Sequence, residues 1–261
     1  MQDQNQIPAL LCCDCGNSSI KIATVIADKV SEVRSFELTQ TEQLQNAISH
    51  LWSELPEPKK TIAASVNKAA LQTLTSAAQN AIGKTPLVVG QDLPNPIDTD
   101  IKHPESVGKD RLCACAAAFD QLGVPCVVAD FGTAITIDCV DESGVFKGGV
   151  ILPGLQTSAK ALANLTDQLP LVDVKDCDFT FGQSTEQAIQ AGILFAARGA
   201  LRERVEAYAT ELGNWPLVIL TGGDAKTICP DVSEDGIVQA VVPELTLRGI
   251  AMSYYRSLLN N

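Results

Sequence analysis

An Asp-x-Gly turn occurs twice in the sequence, each time directly after a short apolar run. Asp14 and Gly16 follow ALLCC, and Asp130 and Gly132 follow PCVVA. An aspartate at the end of a buried strand presents a carboxylate at the edge of a sheet, and the glycine lets the backbone approach a ligand closely. One such turn is typical of a plain hairpin, whereas two facing turns can grip a polyphosphate.

Donors to phosphate follow the first of these turns. The side chains of Asn17 and Ser18, with the backbone amides around them, can donate to phosphate oxygens, and Lys21 can supply a positive charge nearby. The sequence contains neither a P-loop nor a Rossmann glycine motif, so a nucleotide would have to be bound by turns of this other kind.

Two further groups complete the candidate chemistry. Gly222 and Gly223 follow the apolar run PLVIL, where adjacent glycines either let a flat ring lie against the backbone or form a plain turn. Asp110 and Arg111 open an alanine-rich helix, whose positive end favours an ionised Asp110. Arg111 can bind a carboxylate through two parallel hydrogen bonds, although a solvated arginine is the simpler interpretation.

The elements that must position these residues are repeated along the chain. Residues 9–25 and 125–140 each predict a strand, a turn and a second strand, and a further turn and strand follow at 30–38 and 145–152. The first of those further turns is Asp28-Lys29. We interpret the repeat as an internal duplication, with chance similarity as the alternative.

Helices are predicted between the strands, which makes the fold class α/β. A capping box is predicted at Thr39, Asn67 and Ser184 are predicted N-caps, and the last helix is expected at about 244–259. The helix after Ser184 carries an apolar stripe, interpreted as core or as a subunit interface. Its members recur every four residues: Ile189, Ile193, Ala197, Leu201 and Val205.

Composition excludes several function classes. The 261 residues carry a net charge of -12, which disfavours nucleic-acid binding. No apolar run is long enough for a membrane helix, and we expect no membrane partner. Nine cysteines with only two histidines predict reduced, buried thiols in a cytoplasmic protein. Residues 1–8 carry no leader signature and are expected to form a loose tail.

Six motifs in this order resemble those of type III pantothenate kinases, members of the acetate-kinase/Hsp70/actin superfamily. They stand at residues 14–21, 108–111, 130–134, 148–154, 185–192 and 221–225. The resemblance implies two duplicated actin-like (ribonuclease H-like) halves, at residues 9–115 and 116–261, facing each other across an ATP cleft. It implies ATP-dependent phosphorylation of pantothenate, the first step towards coenzyme A, by a homodimer.

The resemblance also assigns roles to residues. Asp110 would be the general base, Asp14 would organise Mg²⁺ through the phosphates, and Asp130 would lie at a site for a monovalent cation, K⁺ or NH₄⁺. The residues implied in ATP binding are Asp14, Cys15, Gly16, Asn17, Ser18, Ser19, Ile20, Lys21, Thr133, Gly222 and Gly223. Those implied in substrate binding are Ile101, Gly108, Lys109, Asp110, Arg111 and Thr185, the last acting across the dimer interface.

Three positions depart from the family pattern. Ser18 stands where many members have threonine, Lys109 where the family often has alanine, and Ile101 where it often has tyrosine. Ile101 cannot donate a hydrogen bond, and Lys109 adds a charge near the substrate. Two alternatives therefore stay open: a kinase of the same fold for another small hydroxy acid, and a non-catalytic nucleotide-binding regulatory relative.

Overall fold

The computed structural model describes residues 7–27 and 29–259. Most of the expected loose tail, and Asp28 of the predicted turn, lie outside the described residues. The chain forms two compact units. The first contains the residues up to Asp98, Lys102–Ala117 and the segment from Glu244, and the second contains Thr99–Ile101 and Ala118–Pro243. The C-terminal segment thus groups with the first unit, whereas the sequence-based division assigned it to the second half.

The described residues form twelve strands and eight helices, with a short 3-10 turn at Pro104–Ser106. The strands are β1 (Ala9–Cys15), β2 (Ser19–Ile26), β3 (Lys29–Val30), β4 (Arg34–Glu37), β5 (Lys59–Ser65), β6 (Leu87–Val88), β7 (Asp98–Thr99), β8 (Cys126–Phe131), β9 (Ala134–Val140), β10 (Val145–Pro153), β11 (Leu217–Thr221) and β12 (Val238–Val241). The helices are α1 (Thr41–Glu54), α2 (Lys68–Ile82), α3 (Lys109–Leu122), α4 (Leu155–Leu165), α5 (Thr185–Leu212), α6 (Ala225–Ile228), α7 (Val232–Asp235) and α8 (Leu245–Leu259).

The two sheets repeat one topology, which confirms the predicted duplication. The first has the order β3-β2-β1-β5-β6, with β4 also paired to β2, and the second has the order β12-β11-β8-β9-β10-β7. In each, an antiparallel hairpin leads into the sheet, and a later strand pairs in parallel with the first strand of that hairpin. This arrangement places the ends of β1 and β8 at equivalent points of their sheets.

The predicted third strand of the first unit is interrupted. The sequence favoured one strand over residues 30–38, but β3 and β4 are separate and both pair with β2. Between them, the backbone N–H of Ser31 donates to the carbonyl of Thr24, and Ser31 Oγ accepts from the N–H of Thr24. A side-chain oxygen therefore takes the place of a ladder carbonyl, which ends β3.

Strand β1 is buried on both faces, because alternate residues enter two different apolar clusters. Leu11 and Cys13 pack with residues of α1 and α2, whereas Leu10 and Cys12 pack with residues of α8. The cysteines act here as small apolar side chains. All nine cysteines are free thiols and eight are buried, so their predicted burial holds for all but Cys177, which is half-buried.

Two of the three predicted helix starts are confirmed. Asn67 Oδ1 accepts from the N–H groups of Ala69 and Ala70, and Ser184 Oγ accepts from the N–H of Gln187. The capping box at Thr39 is wrong. Helix α1 is preceded by Gln40, which makes no side-chain cap because its Oε1 accepts from the N–H of Glu37 in the preceding turn.

The apolar stripe of α5 belongs largely to the core of the second unit. Four of its residues are buried, namely Ile189, Ala197, Leu201 and Val205, and Ile193 is half-buried against them. The interpretation of the stripe as core therefore accounts for most of it. Among the residues that the structure describes, no helix combines the length and the apolar character needed to cross a membrane.

Candidate active site

The first Asp-x-Gly turn joins β1 to β2 in the first unit. Asp14 pairs across the two strands with Lys21, and the N–H of Gly16 donates to the carbonyl of Ser19 over 3.0 Å. Asn17 and Ser18 are exposed at the tip of this turn, while Asp14 and Lys21 are half-buried at its base. The predicted phosphate donors are thus presented to a ligand by a closed turn.

Cys15 and Ile20 flank the tip of the same turn, and both side chains are fully buried. Only the backbone of these two residues can reach a ligand bound at the turn, so their predicted part in ATP binding is confined to main-chain contacts. Their side chains instead anchor the turn in the apolar cluster beneath it.

Asn67 is a polar neighbour of this turn that sequence reasoning identified only as a helix cap. Its Nδ2 lies 3.5 Å from Asn17 Oδ1, and its Oδ1 caps α2. The adjacent N–H of Val66 donates to the carbonyl of Cys15. The parallel pairing of β1 with β5 brings these strand ends together. A polar residue two positions after the end of β5 was the signal that could have identified it.

Asp110 lies in the first turn of α3, directly after Gly108 and Lys109. Its Oδ1 accepts from the N–H of Arg111 over 2.8 Å. A Cβ added to Gly108 would come within 2.5 Å of Asp110 Oδ1 and 3.2 Å of Val66 Cγ1. Glycine is therefore required at position 108 because any larger residue would displace the carboxylate.

Burial raises the pKa of Asp110 above its usual range. The hydrogen bond and charge of Arg111, and the charge of Lys21, act in the opposite direction but do not cancel the effect of burial. The expectation that the helix start favours the ionised form needs correction here, because loss of hydration outweighs it. A raised pKa brings this carboxylate closer to the range in which a general base works best.

The thiol of Cys113 lies close enough to Asp14 and Asp110 for both carboxylates to act on it. Burial raises the pKa of Cys113, and the negative charges of Asp110 and then Asp14 raise it further. Both carboxylates therefore act on a single buried group. The first unit therefore holds Asp14, Lys21 and Asp110 within electrostatic range of one another or of the same buried thiol.

Lys109 also acts on Cys113, but its side chain is directed towards Gly90. Its charge lowers the pKa of Cys113, whereas the cations that act on Asp110 are Arg111 and Lys21. Its Cε lies 2.7 Å from where a Cβ on Gly90 would be. The side chain of Lys109 thus packs against Gly90.

The second Asp-x-Gly turn joins β8 to β9 in the second unit. The N–H of Gly132 donates to the carbonyl of Ala134, and Thr133 is exposed at the tip. The carbonyl of Thr133 accepts from the N–H of Gly154 and from Thr157 Oγ1 at 3.0 and 2.7 Å. The start of α4 therefore fixes the backbone of this turn and leaves the side chain of Thr133 accessible.

The two glycines after β11 have different surroundings. Gly222 has a φ of +95°, and a Cβ there would overlap Asp130 Oδ1 and the carbonyl oxygen of Phe131, whereas a Cβ on Gly223 would meet nothing within 4 Å. The N–H of Asp224 also donates to the carbonyl of Phe131. Gly222 is thus required for packing against the Asp130 turn, and Gly223 is the position open to a ligand.

Asp224 is a second residue that the sequence interpretation left without a role. Burial raises the pKa of Asp224, and the negative charge of Asp173 raises it further. It is half-buried, follows Gly223 directly, and lies at the turn that packs on Phe131. Its position within the Gly-Gly motif was the available signal.

Ile101 and Thr185 are separate from these groups. Ile101 is half-buried, with its Cγ2 3.7 Å from where a Cβ on Gly148 would be. Thr185 is the exposed first residue of α5. It lines an apolar cavity of about 570 Å³ in the second unit, together with Leu152, Leu155, Ile189 and Ile193.

Comparison with known proteins decides the family. The sequence model described as type III pantothenate kinase matches residues 10–207. The chain belongs to the type III pantothenate kinase family. A type III pantothenate kinase from Dehalococcoides mccartyi is 31% identical over 254 residues, covering 94% of this chain and 96% of that protein. One from Listeria monocytogenes serotype 4a is 35% identical over 172 residues, covering 66% of this chain and 65% of that protein.

A solved structure extends the comparison to the fold. The activator of the 2-hydroxyisocaproyl-CoA dehydratase from Clostridium difficile, with bound ADPNP, superposes with a TM-score of 0.55 at 10% identity. The match covers 97% of this chain and 96% of that one. The type III pantothenate kinase chain therefore has the actin-like ATPase fold, as its motifs implied.

Proposed function

We propose that this protein transfers the γ-phosphoryl group of ATP to the primary hydroxyl of pantothenate, the first step towards coenzyme A. The observation that carries the proposal is the position of Asp110, half-buried at the start of α3 beside Arg111 and within reach of the charge of Lys21. Phosphoryl transfer depends mainly on positioning and charge neutralisation, and these residues supply both.

Asp110 takes the part of general base. An alcohol is a poor nucleophile while protonated, and a carboxylate within hydrogen-bond reach can accept its proton as the new bond forms. Gly108 keeps room for the Asp110 carboxylate, while Arg111 binds the carboxylate of pantothenate.

The turn at residues 14–21 binds the phosphates of ATP through Asn17, Ser18 and backbone amides. Carboxylate oxygens are suitable ligands for Mg²⁺, and Asp14 is a half-buried carboxylate at a strand end beside exposed donors. These residues fit a magnesium–phosphate group, which would neutralise charge on the transferred phosphoryl group. Lys21, paired across the strands with Asp14, adds a fixed positive charge.

The turn at Asp130 and the loop at Gly223 make the second set of ATP contacts. Thr133 is accessible on a turn held by Thr157, and a Cβ on Gly223 would meet nothing within 4 Å, so we assign the adenosine to this side. A monovalent cation, K⁺ or NH₄⁺, is assigned to Asp130. Full activity with Na⁺ as the only monovalent cation would remove this cation from the proposal.

The active form is a homodimer in which Thr185 reaches the substrate site of the partner. The exposed position of Thr185 at the start of α5, on the wall of an apolar cavity, supports this. A cytoplasmic location belongs to the same proposal and rests on nine cysteines that are all free thiols.

A kinase for another small hydroxy acid is the second candidate, favoured by Ile101 and Lys109. The test is ADP release in a coupled assay, with pantothenate and a panel of other hydroxy acids as acceptors. The proposal expects pantothenate to give the highest kcat/KM. A higher value for another acid would support the second candidate, and ATP binding without turnover on any acceptor would indicate a non-catalytic relative.

A further inference from the structure

Asp224 immediately precedes the short helix α6 but does not cap it. Its backbone has φ -94° and ψ 3°, and its side chain makes no cap hydrogen bond. A capping aspartate normally has an extended backbone, and its carboxylate accepts from an N–H of the first turn. Asp231 does this before α7, where it accepts from the N–H of Ser233 at 2.8 Å. The carboxylate of Asp224 is therefore not used by the helix that follows it.

No other protein group uses this carboxylate either, over residues 7–27 and 29–259. Its oxygens accept no hydrogen bond and form no ion pair there. The residue is half-buried, so water reaches the carboxylate only in part. An ionised carboxylate can only accept hydrogen bonds, and leaving a partly desolvated acceptor without donors is unfavourable. A ligand that brings O–H or N–H groups to Asp224 would supply the missing donors.

The backbone at Asp224 is fixed against the second Asp-x-Gly turn. The N–H of Asp224 donates to the carbonyl of Phe131 at 2.9 Å, and a Cβ on Gly222 would come within 2.4 Å of Asp130 Oδ1. Between them, a Cβ on Gly223 would meet nothing within 4 Å. The unused carboxylate thus directly follows a residue that is open to a ligand, on a loop that contacts the Asp130 turn.

Asp173 shows on which side of this loop the carboxylate lies. The negative charge of Asp173 acts on Asp224, and Asp173 Oδ1 accepts from Gln156 Nε2 at 3.0 Å. The next residue of α4, Thr157, donates to the carbonyl of Thr133. The start of α4 therefore holds both the turn that presents Thr133 and the carboxylate that acts on Asp224. These contacts place Asp224 on the side of the nucleotide-binding turn of the second unit.

Two neighbouring carboxylates restrict which part of a nucleotide can lie here. They repel phosphate groups, so the group beside Asp224 must be uncharged and must donate hydrogen bonds. A ribose offers two adjacent hydroxyls, and carboxylates recognise ribose hydroxyls in dinucleotide-binding folds. We propose that Asp224 accepts hydrogen bonds from the ribose hydroxyls of ATP and so selects ribonucleotides over nucleotides that lack these hydroxyls. This inference rests on the ATP site of the proposed function.

Nucleotide binding without turnover tests the contact. Calorimetry of the full chain with Mg²⁺ measures Kd for ADP and for 2′,3′-dideoxyADP. In wild type, we expect the Kd for dideoxyADP to be at least about tenfold higher, because the analogue leaves the acceptor unpaired. In Asp224→Ala, the ratio of the two Kd values should fall to about one. Loss of negative charge affects both nucleotides alike, so the ratio isolates the hydroxyl contact.

Asp173→Ala is the matched control, since it removes the neighbouring charge and keeps the acceptor. It should retain the wild-type ratio, and loss of the ratio in this variant would contradict a direct contact by Asp224. Asp224→Asn keeps one acceptor oxygen and should give an intermediate ratio, which tests the contact even if Asp224→Ala fails to fold. A ratio near one in wild type, or a wild-type ratio in the folded Asp224 variants, would overturn the proposal.

Inosine diphosphate, which lacks the 6-amino group of adenine, tests the other donor of the nucleoside. If Asp224→Ala abolishes the preference for ADP over inosine diphosphate but keeps that for ADP over dideoxyADP, the carboxylate contacts the base and the ribose contact is wrong. Failure of wild type to bind ADP at all would refute the proposed ATP site itself. ADP binding with a ratio near one would refute only the contact with ribose.

Discussion

The backbone N–H of Arg111 donates to Oδ1 of Asp110 over 2.8 Å, and yet burial holds the pKa of that carboxyl above its usual range. The hydrogen bond fixes the direction of the carboxylate, while the loss of hydration sets its basicity. A carboxylate that is both oriented and more basic than usual is suited to accept a proton from an alcohol. The first two predictions follow from this pair.

Asp110→Asn is expected to lower kcat by at least about 100-fold, with a much smaller change in KM for ATP, because the amide cannot accept the proton. Initial rates of ADP release with varied pantothenate and ATP measure this. His103→Ala is the control and should stay within about tenfold of wild type, since His103 is exposed and faces Glu105. The opposite ranking of the two variants would show that the base has been misassigned.

Stability should depend on pH through the same residue. Because the pKa of Asp110 is raised in the folded protein, its ionisation lowers the free energy of unfolding as pH rises from about 3.9, its unfolded value, through the folded pKa. Asp110→Asn removes this cost, so the Tm of the variant minus that of wild type should be more positive at pH 8 than at pH 4.5. Thermal unfolding at the two pH values measures it.

Asp231 provides a control of opposite sign for that experiment. Hydrogen bonds from Ser233 lower the pKa of Asp231, so its ionised form stabilises the folded protein above the unfolded pKa. Asp231→Asn should therefore lower Tm to a similar extent at pH 8 and pH 4.5, and less at about pH 3, where the stabilisation is being lost. A Tm difference for Asp110→Asn that shifts with pH in the same direction as that of Asp231→Asn would contradict a raised pKa for Asp110.

Asp14→Asn is expected to abolish measurable turnover and leave the protein folded. A neutral amide is a poor ligand for Mg²⁺, and Asp14 is the carboxylate at the base of the turn that presents Asn17 and Ser18. ADP release, circular dichroism and thermal unfolding are the measurements. Near wild-type rates in a folded variant would remove Asp14 from the magnesium-binding role.

Gly222→Ala and Gly223→Ala form a matched pair. The first adds a methyl group that overlaps Asp130 and Phe131 at a φ of +95°, and the second adds one into open space. Gly222→Ala should lower the free energy of unfolding by about 1–3 kcal/mol, while Gly223→Ala should lower it by less than about 1 kcal/mol. Gly223→Ala is instead expected to raise KM for ATP. Equal losses of stability, measured by urea unfolding, would contradict the different surroundings of the two glycines.

The apolar cavity beside Thr185 predicts the oligomeric state. Light scattering should give about 55 kDa, twice the chain's 27.7 kDa. Ala196→Glu places a charge in the cavity and should shift the protein towards monomer, whereas Gly199→Glu places the same charge on α5 outside the cavity lining. A mass near 28 kDa for fully active wild-type protein at micromolar concentration would exclude the dimer.

Local sequence signals predicted the elements around the candidate site well. Asn67 and Ser184 were identified as caps because one side-chain oxygen and its nearby N–H groups suffice to make a cap. The two Asp-x-Gly hairpins were predicted correctly because each turn also depends on a few residues adjacent in sequence. The prediction of a capping box at Thr39 was wrong because the side chain of Gln40 accepts from the N–H of the preceding turn. The residue type at position 39 gives no information about that hydrogen bond.

Properties set by contacts distant in sequence could not be predicted. The pKa of Asp110 depends on burial and on Lys21, 89 positions earlier. The side chain of Lys109 can lie where it does only because residue 90 has no side chain. Position 222 requires glycine because a side chain there would overlap Asp130. Each requires the folded backbone before one side chain can be placed against another.

Helix α8 has a consequence for the order of events during synthesis. Gly249 packs directly on the backbone of Cys113 in α3, and Leu247 and Ile250 cover one face of β1. The ribosome makes β1 and the Asp14 turn before the second unit, but the helix that covers them is made after the second unit. A nascent chain therefore exposes one apolar face of its first sheet until α8 has been made. Protection of β1 amides should appear only after residue 250 has left the exit tunnel.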